Sequence, residues 1–314
     1  MADADAMDRM TAAGLGDAEM RRCMGWPRHV EAMLDVERAL AGAVADVGLV
    51  DVSAALAVKR ACDPSRLDLA ALTVAAAQAA SPVIPLVAAI GASLDDAAGR
   101  ALHRGATSQD VVDTATTLQL REALDRLEDL LLTAADRCAT LASDHAGTVM
   151  AGRTLGQQAV PITFGLLCAR WLAALDRRVA VLRRWRADHL TVQLGGASGT
   201  AGALGDDGLA VARALADRLD LGVPTLPLHG ERDHIADLAG ALGATAGVVG
   251  KVAGDLVHLT GTEVAEVRFG DGGPTSSAMP HKRNPVDAVA ARAAARLAAS
   301  EAAGIATATG DHEL

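Results

Sequence analysis

Seven residues spaced alternately four and three apart constrain this chain more than any other feature. Leu238, Leu242, Thr245, Val249, Val252, Leu256 and Leu259 keep that rhythm without a break. A 3.5-residue repeat places all of them on one stripe of a helix and implies left-handed supercoiling against neighbours. Thirty or so residues rising ~1.5 Å each make a rod of roughly 50 Å. One small domain cannot cover such a rod, so the spacing predicts a long-helix bundle completed by further copies of the chain.

The rest of the sequence agrees. Leu120, Leu124, Leu127 and Leu131 recur at steps of four, three and four, predicting an amphipathic helix from about Asp110 to His145. Another is expected from about Val160 to His189. Near the N-terminus, Val30, Met33, Leu34, Glu37, Ala41 and Val44 share the face of a helix running from Pro27 to Val47, before Gly48. Residues 1–20 read as frayed, with no signal peptide in their acidic start. Asp63-Pro64 marks a turn before the next helix. Leu69 to Leu94 is uncharged, but Pro82 and Pro85 interrupt it and it is Ala-rich, so it reads as a buried helix–turn–helix rather than a membrane span. Only 2% of the 314 residues are aromatic and none is Tyr. The core must therefore be Ala, Leu and Val, which suits closely packed helices and argues against sheet. Cys23, Cys62, Cys138 and Cys168 form no CxxC pair and read as buried small hydrophobes in a reducing compartment. A net charge of −10 disfavours nucleic acid or an anionic membrane as partner.

Three loops carry the residue types of a site. Gly270, Gly272 and Gly273 open a loop holding Ser276, Ser277, His281, Lys282 and Arg283. It ends at Asn284-Pro285, a favoured N-cap and first helical residue. The N–H groups of that helix start and the nearby cations suit a carboxylate or phosphate. Gly105 to Asp110, GATSQD, places Thr107 and Ser108 at another helix start, with Asp110 spaced for a capping box. Gly152 to Gly165 reads GRTLGQQAVPITFG. Two further stretches read as structural. Leu194 to Gly208 is Gly-rich but has no P-loop Lys, and close helix packing accounts for it. His229, Arg232, Asp233 and His234 lack zinc spacing and fit helix capping and surface ion pairs.

SSAMPHKRNP, residues 276–285, resembles the signature loop of the fumarase/aspartase superfamily, in which Gly-Ser-Ser precedes Met, Lys and Asn. Thr275 stands where that family has Gly, a change expected to stiffen the loop. The resemblance implies Ser276 as general base, with Ser277, Met279, Lys282 and Asn284 around the substrate. HRGATSQD resembles the family's carboxylate-binding motif in its carboxymuconate cycloisomerase branch, which implies substrate contacts for His103, Thr107 and Ser108. Arg153, Thr154 and Gln157 match the family's Gly-Arg-Thr motif and its Gln, and Arg232 is a further candidate. Fumarases, argininosuccinate lyases and adenylosuccinate lyases carry a His after that Thr, whereas this chain has Leu155, as the cycloisomerases have an apolar residue. A carboxylate leaving group, with a pKa near ~4, needs no acid to assist it, while an amine or hydroxide does.

The resemblance thus implies an all-α long-helix bundle, with a small N-terminal helical domain over 1–100 and a central bundle over 101–314 bearing all three motifs. The sequence ends at GDHEL while a helix still reads as running, so the family's usual C-terminal domain is expected to be largely absent. The activity implied is the interconversion of 3-carboxy-cis,cis-muconate and its lactone, without metal or organic cofactor, in a cytoplasmic homotetramer whose sites are shared between subunits. A lyase releasing fumarate from a succinate derivative, or a truncated non-catalytic homologue, are the alternatives.

Overall fold

The computed structural model describes residues 16–270, 279 and 282–309. They form helices with one β-hairpin, grouped into two compact units drawn from interleaved stretches of the chain, whereas the division read from the sequence is contiguous.

One unit comprises Glu19–Asp125 and Trp185–Glu231. After α1 (Ala18–Met24) comes α2 (Trp26–Asp46), its central rod. Pro27 pre-sets its first turn. Gly48, at φ 84, ends it, with Leu49 N donating to Val44 O at 2.9 Å. Met33, Leu34, Leu40, Ala41 and Val44 on α2 are fully buried. They pack with residues of α3 (Val52–Ala61), α4 (Leu69–Ala79) and α5 (Val83–Gly91). Pro85 sits in the first turn of α5, where its missing N–H breaks no bond. The short α6 (Asp96–Gly99) leads to the first site loop. The first half of α7 (Ser108–Asp144) and α9 (Gly208–Leu219) complete this core.

The other unit takes, among the described residues, Arg126–Arg184 and those from Arg232 onward, together with the few that precede Glu19. After α7 the chain enters a hairpin, β1 (Val149–Thr154) paired antiparallel with β2 (Gln157–Thr163). Leu155 and Gly156 both have positive φ, 50° and 76°, which makes the connection a two-residue turn of the type favoured in hairpins. The helix expected from Val160 therefore begins four residues later, as α8 (Phe164–His189), because Gln157 to Thr163 are committed to the strand. Gly165 is required where α8 leaves the hairpin: a Cβ there would lie 2.5 Å from Ala142 O.

The heptad stripe lies on α10 (Asp233–Leu259), which runs antiparallel to α11 (Val286–Ala308). Small residues let the two approach closely: Cβ atoms placed on Gly243 and Gly250 would sit 3.2 Å and 2.9 Å from those of Ala302 and Ala295. Within one chain the stripe is incompletely covered. Leu238, Thr245 and Leu259 are buried, but Leu242, Val249, Val252 and Leu256 are only half-buried. By length and composition alone α10 could also cross a membrane. The four cysteines are free and buried, and burial pushes the Cys62 thiol up to about 12 and that of Cys168 to about 11.

Candidate active site

The first loop is fixed from both ends. His103 takes a left-handed backbone, φ 53, that non-glycine residues rarely adopt. Two bonds to Glu37 hold it there: its N–H donates to Oε2 at 3.0 Å, and ring Nδ1 lies 2.6 Å from Oε1. Glu37 is completely buried in the middle of α2. A carboxylate partner places the ring proton on Nδ1. Burial of His103 works against its charge, but the hydrogen bond and charge of Glu37, with that of Asp110, outweigh it and raise the imidazole above its ordinary value.

Asp110 does more than cap. Its Oδ2 accepts from Thr107 N at 2.9 Å, the reciprocal half of the expected capping box. The same carboxylate accepts from Gly195 N at 2.9 Å and Gly196 N at 2.8 Å, so the start of α7 is tied to the Gly-rich stretch. Gly105, at φ 78, packs beneath it, and a Cβ there would meet Leu204 Cγ at 2.4 Å. Thr107 and Ser108 are left half-buried at the N-terminus of a 37-residue helix. Its first N–H groups and dipole favour an anion.

The second motif is the hairpin itself. Thr154 and Gln157 are directly paired at its tip and exposed, and Leu155 between them is fully exposed. Within one chain, Leu155 is thus a turn residue and lines no apolar niche. Arg153 points elsewhere. Its guanidinium grips Glu266 with two bonds of 2.7 and 2.8 Å. That bond and the adjacent charge hold the Glu266 carboxyl below the usual carboxylate range. Arg153 also lines a cavity of about 330 Å³ with Met150, Arg170, Lys251, Asp255 and His258. In it Asp255 accepts from the Trp171 indole at 2.8 Å and pairs with Lys251.

Of the signature loop, Ser276 and Ser277 lie outside the described residues, as does His281. Lys282 is exposed and its N donates to Met279 O at 3.0 Å. The helix expected to be capped by Asn284 starts one residue later than predicted. Pro285 occupies the cap position of α11 and Val286 N donates to the Asn284 carbonyl at 2.9 Å. Asn284 instead borders a small cavity, about 50 Å³, with Thr260, Phe269 and Arg283. Arg232 is the cap residue of α10, where its carbonyl accepts from Ile235 and Ala236 N.

Three groups that organise these loops were not picked out as site residues from sequence: Glu37, Asp110 and Glu266. The signal for Glu37 was present, a carboxylate among apolar residues on one helix face, but its partner lies 66 positions away. His103, Thr107 and Ser108 belong to one unit, and Arg153, Thr154, Gln157, Arg232, Met279, Lys282 and Asn284 to the other.

Comparison with known proteins gives the same outline. The lyase family model matches residues 18–299. The chain is 44% identical, over 98% of its length, to 3-carboxy-cis,cis-muconate cycloisomerase of Bradyrhizobium diazoefficiens, covering 70% of that protein. It is 45% identical to nitrosuccinate lyase of Streptomyces davaonensis, over 84% of this chain and 58% of that protein. Among solved structures, the cycloisomerase of Acinetobacter calcoaceticus sp. ADP1 superposes with a TM-score of 0.89 at 36% identity, over 96% of this chain and 68% of that one. The chain thus spans roughly three-fifths to seven-tenths of its relatives' length. With its long-helix unit, its Gly-Arg-Thr hairpin and a family match over nearly all its residues, this chain belongs to the lyase family of the fumarase/aspartase superfamily.

Proposed function

We propose that this chain is the catalytic part of a cycloisomerase interconverting 3-carboxy-cis,cis-muconate and its carboxymuconolactone. The observation that carries the reading is the 44% identity to such an enzyme over 98% of the chain. The apolar residue at position 155 is in keeping with it.

In the lactone-opening direction, Ser276 Oγ takes the proton α to a carboxylate and the ring C–O bond breaks. The electron pair leaves on a carboxylate, which is stable unprotonated, so no acid is required at Leu155. The intermediate carries two negative charges on one carboxylate. Lys282, Asn284 and the Thr107–Ser108 helix start are the groups suited to hold it. Arg153, Thr154, Gln157 and Arg232 would frame the substrate. A serine is a poor base at neutral pH, so its role requires that water be excluded and that cations lie beside the alkoxide. This chemistry requires neither metal nor organic cofactor.

The partly covered heptad stripe of α10 supports assembly into a homotetramer, with motifs from different subunits forming each site. The substrate is a small polycarboxylate and the setting cytoplasmic; the net charge of −10 gives no attraction for nucleic acid or anionic lipid.

A second reading is favoured by the 45% identity to nitrosuccinate lyase. A nitro group departs as nitrite, again an anion that needs no protonation, so Leu155 suits that elimination equally well. The deciding assay follows loss of carboxymuconate absorbance and, separately, nitrite release from nitrosuccinate. Activity on carboxymuconate that Ser276→Ala lowers by several orders of magnitude, with Lys282→Ala also weakening binding, supports the cycloisomerase. Nitrite release alone would replace it with the lyase. Inactivity of an assembled protein on both would leave a non-catalytic homologue.

A further inference from the structure

We propose that Glu37 is a positioning residue for the reaction: it fixes His103 as an imidazolium whose Nε2–H is offered to a carboxylate of the substrate. The proposal deepens the reading of His103 as a substrate-binding group and rests on it.

Two costs point to a purpose beyond packing. A fully buried carboxylate on α2 gives up its hydration, and a left-handed His gives up a favourable backbone. The pair of bonds from residue 103 to Glu37 compensates both. For packing alone, an apolar residue at 37 and a glycine at 103 would serve with neither cost. What the charged pair adds is an imidazole locked in tautomer and orientation, next to the Thr107–Ser108 helix start. With Nδ1 committed to Glu37, Nε2 is left with no partner among the described residues, and His103 keeps 22% of its side chain exposed. A protonated ring offers an N–H there, and a neutral ring a lone pair that would repel a carboxylate.

The charged and titratable groups near the dyad lie on α2 and α7 and in the two stretches that follow α3 and α6. Asp110 on α7 favours the imidazolium. Cys62, following α3, is a neutral thiol at working pH. Asp35 and Arg38 share α2, and Arg104 follows His103 in the chain. Because the folded imidazole titrates above its ordinary value, a carboxylate held by it is bound at low pH and released as pH rises through the folded value.

The experiment is a 15N-detected titration of the His103 ring in the full chain, wild type and Glu37→Gln, together with binding of propane-1,2,3-tricarboxylate at several pH values. Gln keeps the shape and an acceptor but removes the charge, so the ring should titrate lower by about 1–3 pH units. The limb on which tricarboxylate binding is lost should move down with it. If the cycloisomerase reading also holds, KM for carboxymuconate rises above the new value while kcat changes little. His103→Asn, with Glu37 intact, should make binding flat with pH across the same range. A wild-type His103 titrating at or below ~6.5 would overturn the proposal even if Glu37→Gln does not fold. So would tricarboxylate binding whose pH dependence is unchanged by either variant. Failure of the carboxymuconate assay alone, with the titration and binding as described, would remove the enzyme assignment and leave the dyad standing.

Discussion

Removing Asp110 tests how much of the first site loop hangs on one carboxylate. In Asp110→Ala, Gly195 and Gly196 lose the acceptor for buried N–H groups and Thr107 loses that for a half-buried one. An orphaned buried donor costs about 1–3 kcal/mol, and a lost helix cap typically ~1 kcal/mol. Two of the first and one of the second give about 3–7 kcal/mol, a large part of the ~5–15 kcal/mol that holds a domain folded. Asp110→Asn keeps one oxygen for one glycine but presents an NH2 to another donor, so roughly half of that loss is expected. The assay is urea unfolding at fixed protein concentration, with amide exchange read at Gly195 and Gly196. Both amides should lose protection in Asp110→Ala even below the unfolding transition. An Ala variant within about 1 kcal/mol of wild type, with both amides still protected, would refute the claim that this carboxylate ties the loop.

Leu155 sits left-handed and fully exposed, so Leu155→Asn should raise stability by about 0.5–1 kcal/mol in thermal unfolding, and Leu155→His should leave it nearly unchanged. Nor should Leu155→His create activity on adenylosuccinate or argininosuccinate; a gain there, with wild type inactive on carboxymuconate, would sink the carboxylate-leaving-group argument. Gly105→Ala meets both a positive φ and Leu204, so a loss of about 2 kcal/mol or more is expected in denaturant titration. The Arg153–Glu266 pair depresses the Glu266 carboxyl, so its contribution is present above the unfolded pKa and lost as pH falls through the folded value. Glu266→Gln should flatten that acid limb while costing less than ~1 kcal/mol at neutral pH, as the pair is partly exposed. Light scattering should give a tetramer at micromolar concentration, and an active monomer would remove the role given to the α10 stripe.

Periodicity made the helices legible. The spacing of apolar residues placed α2, α7 and α10 to within a few residues, because each buries one face and side-chain pattern reports burial. The hairpin was not legible for the same reason. Gln157 to Val160 are exposed on both faces, so no alternation marks β2, and Leu-Gly is not among the residue pairs that announce a tight turn. Pro161 falls where a helix is expected to start, and an edge strand tolerates a proline as well. At the site, the residues in contiguous motifs could be named from sequence. Glu37 and Asp110 act across 66 and 85 positions, and nothing in a local window says what a buried carboxylate will meet. The order of the cap at Asn284-Pro285 was recovered with a shift of one residue, since either can precede a first turn.

The four free cysteines divide evenly: Cys23 and Cys62 lie in one compact unit, Cys138 and Cys168 in the other. None exceeds 8% exposure, and a thiol pushed up to about 12 or 11 is almost wholly unreactive at neutral pH. Alkylation therefore has to wait for the surrounding helices to part. Mass-resolved labelling with a maleimide would then act as a pair of stopwatches inside one molecule, timing the transient opening of each unit separately under conditions where the protein is otherwise intact.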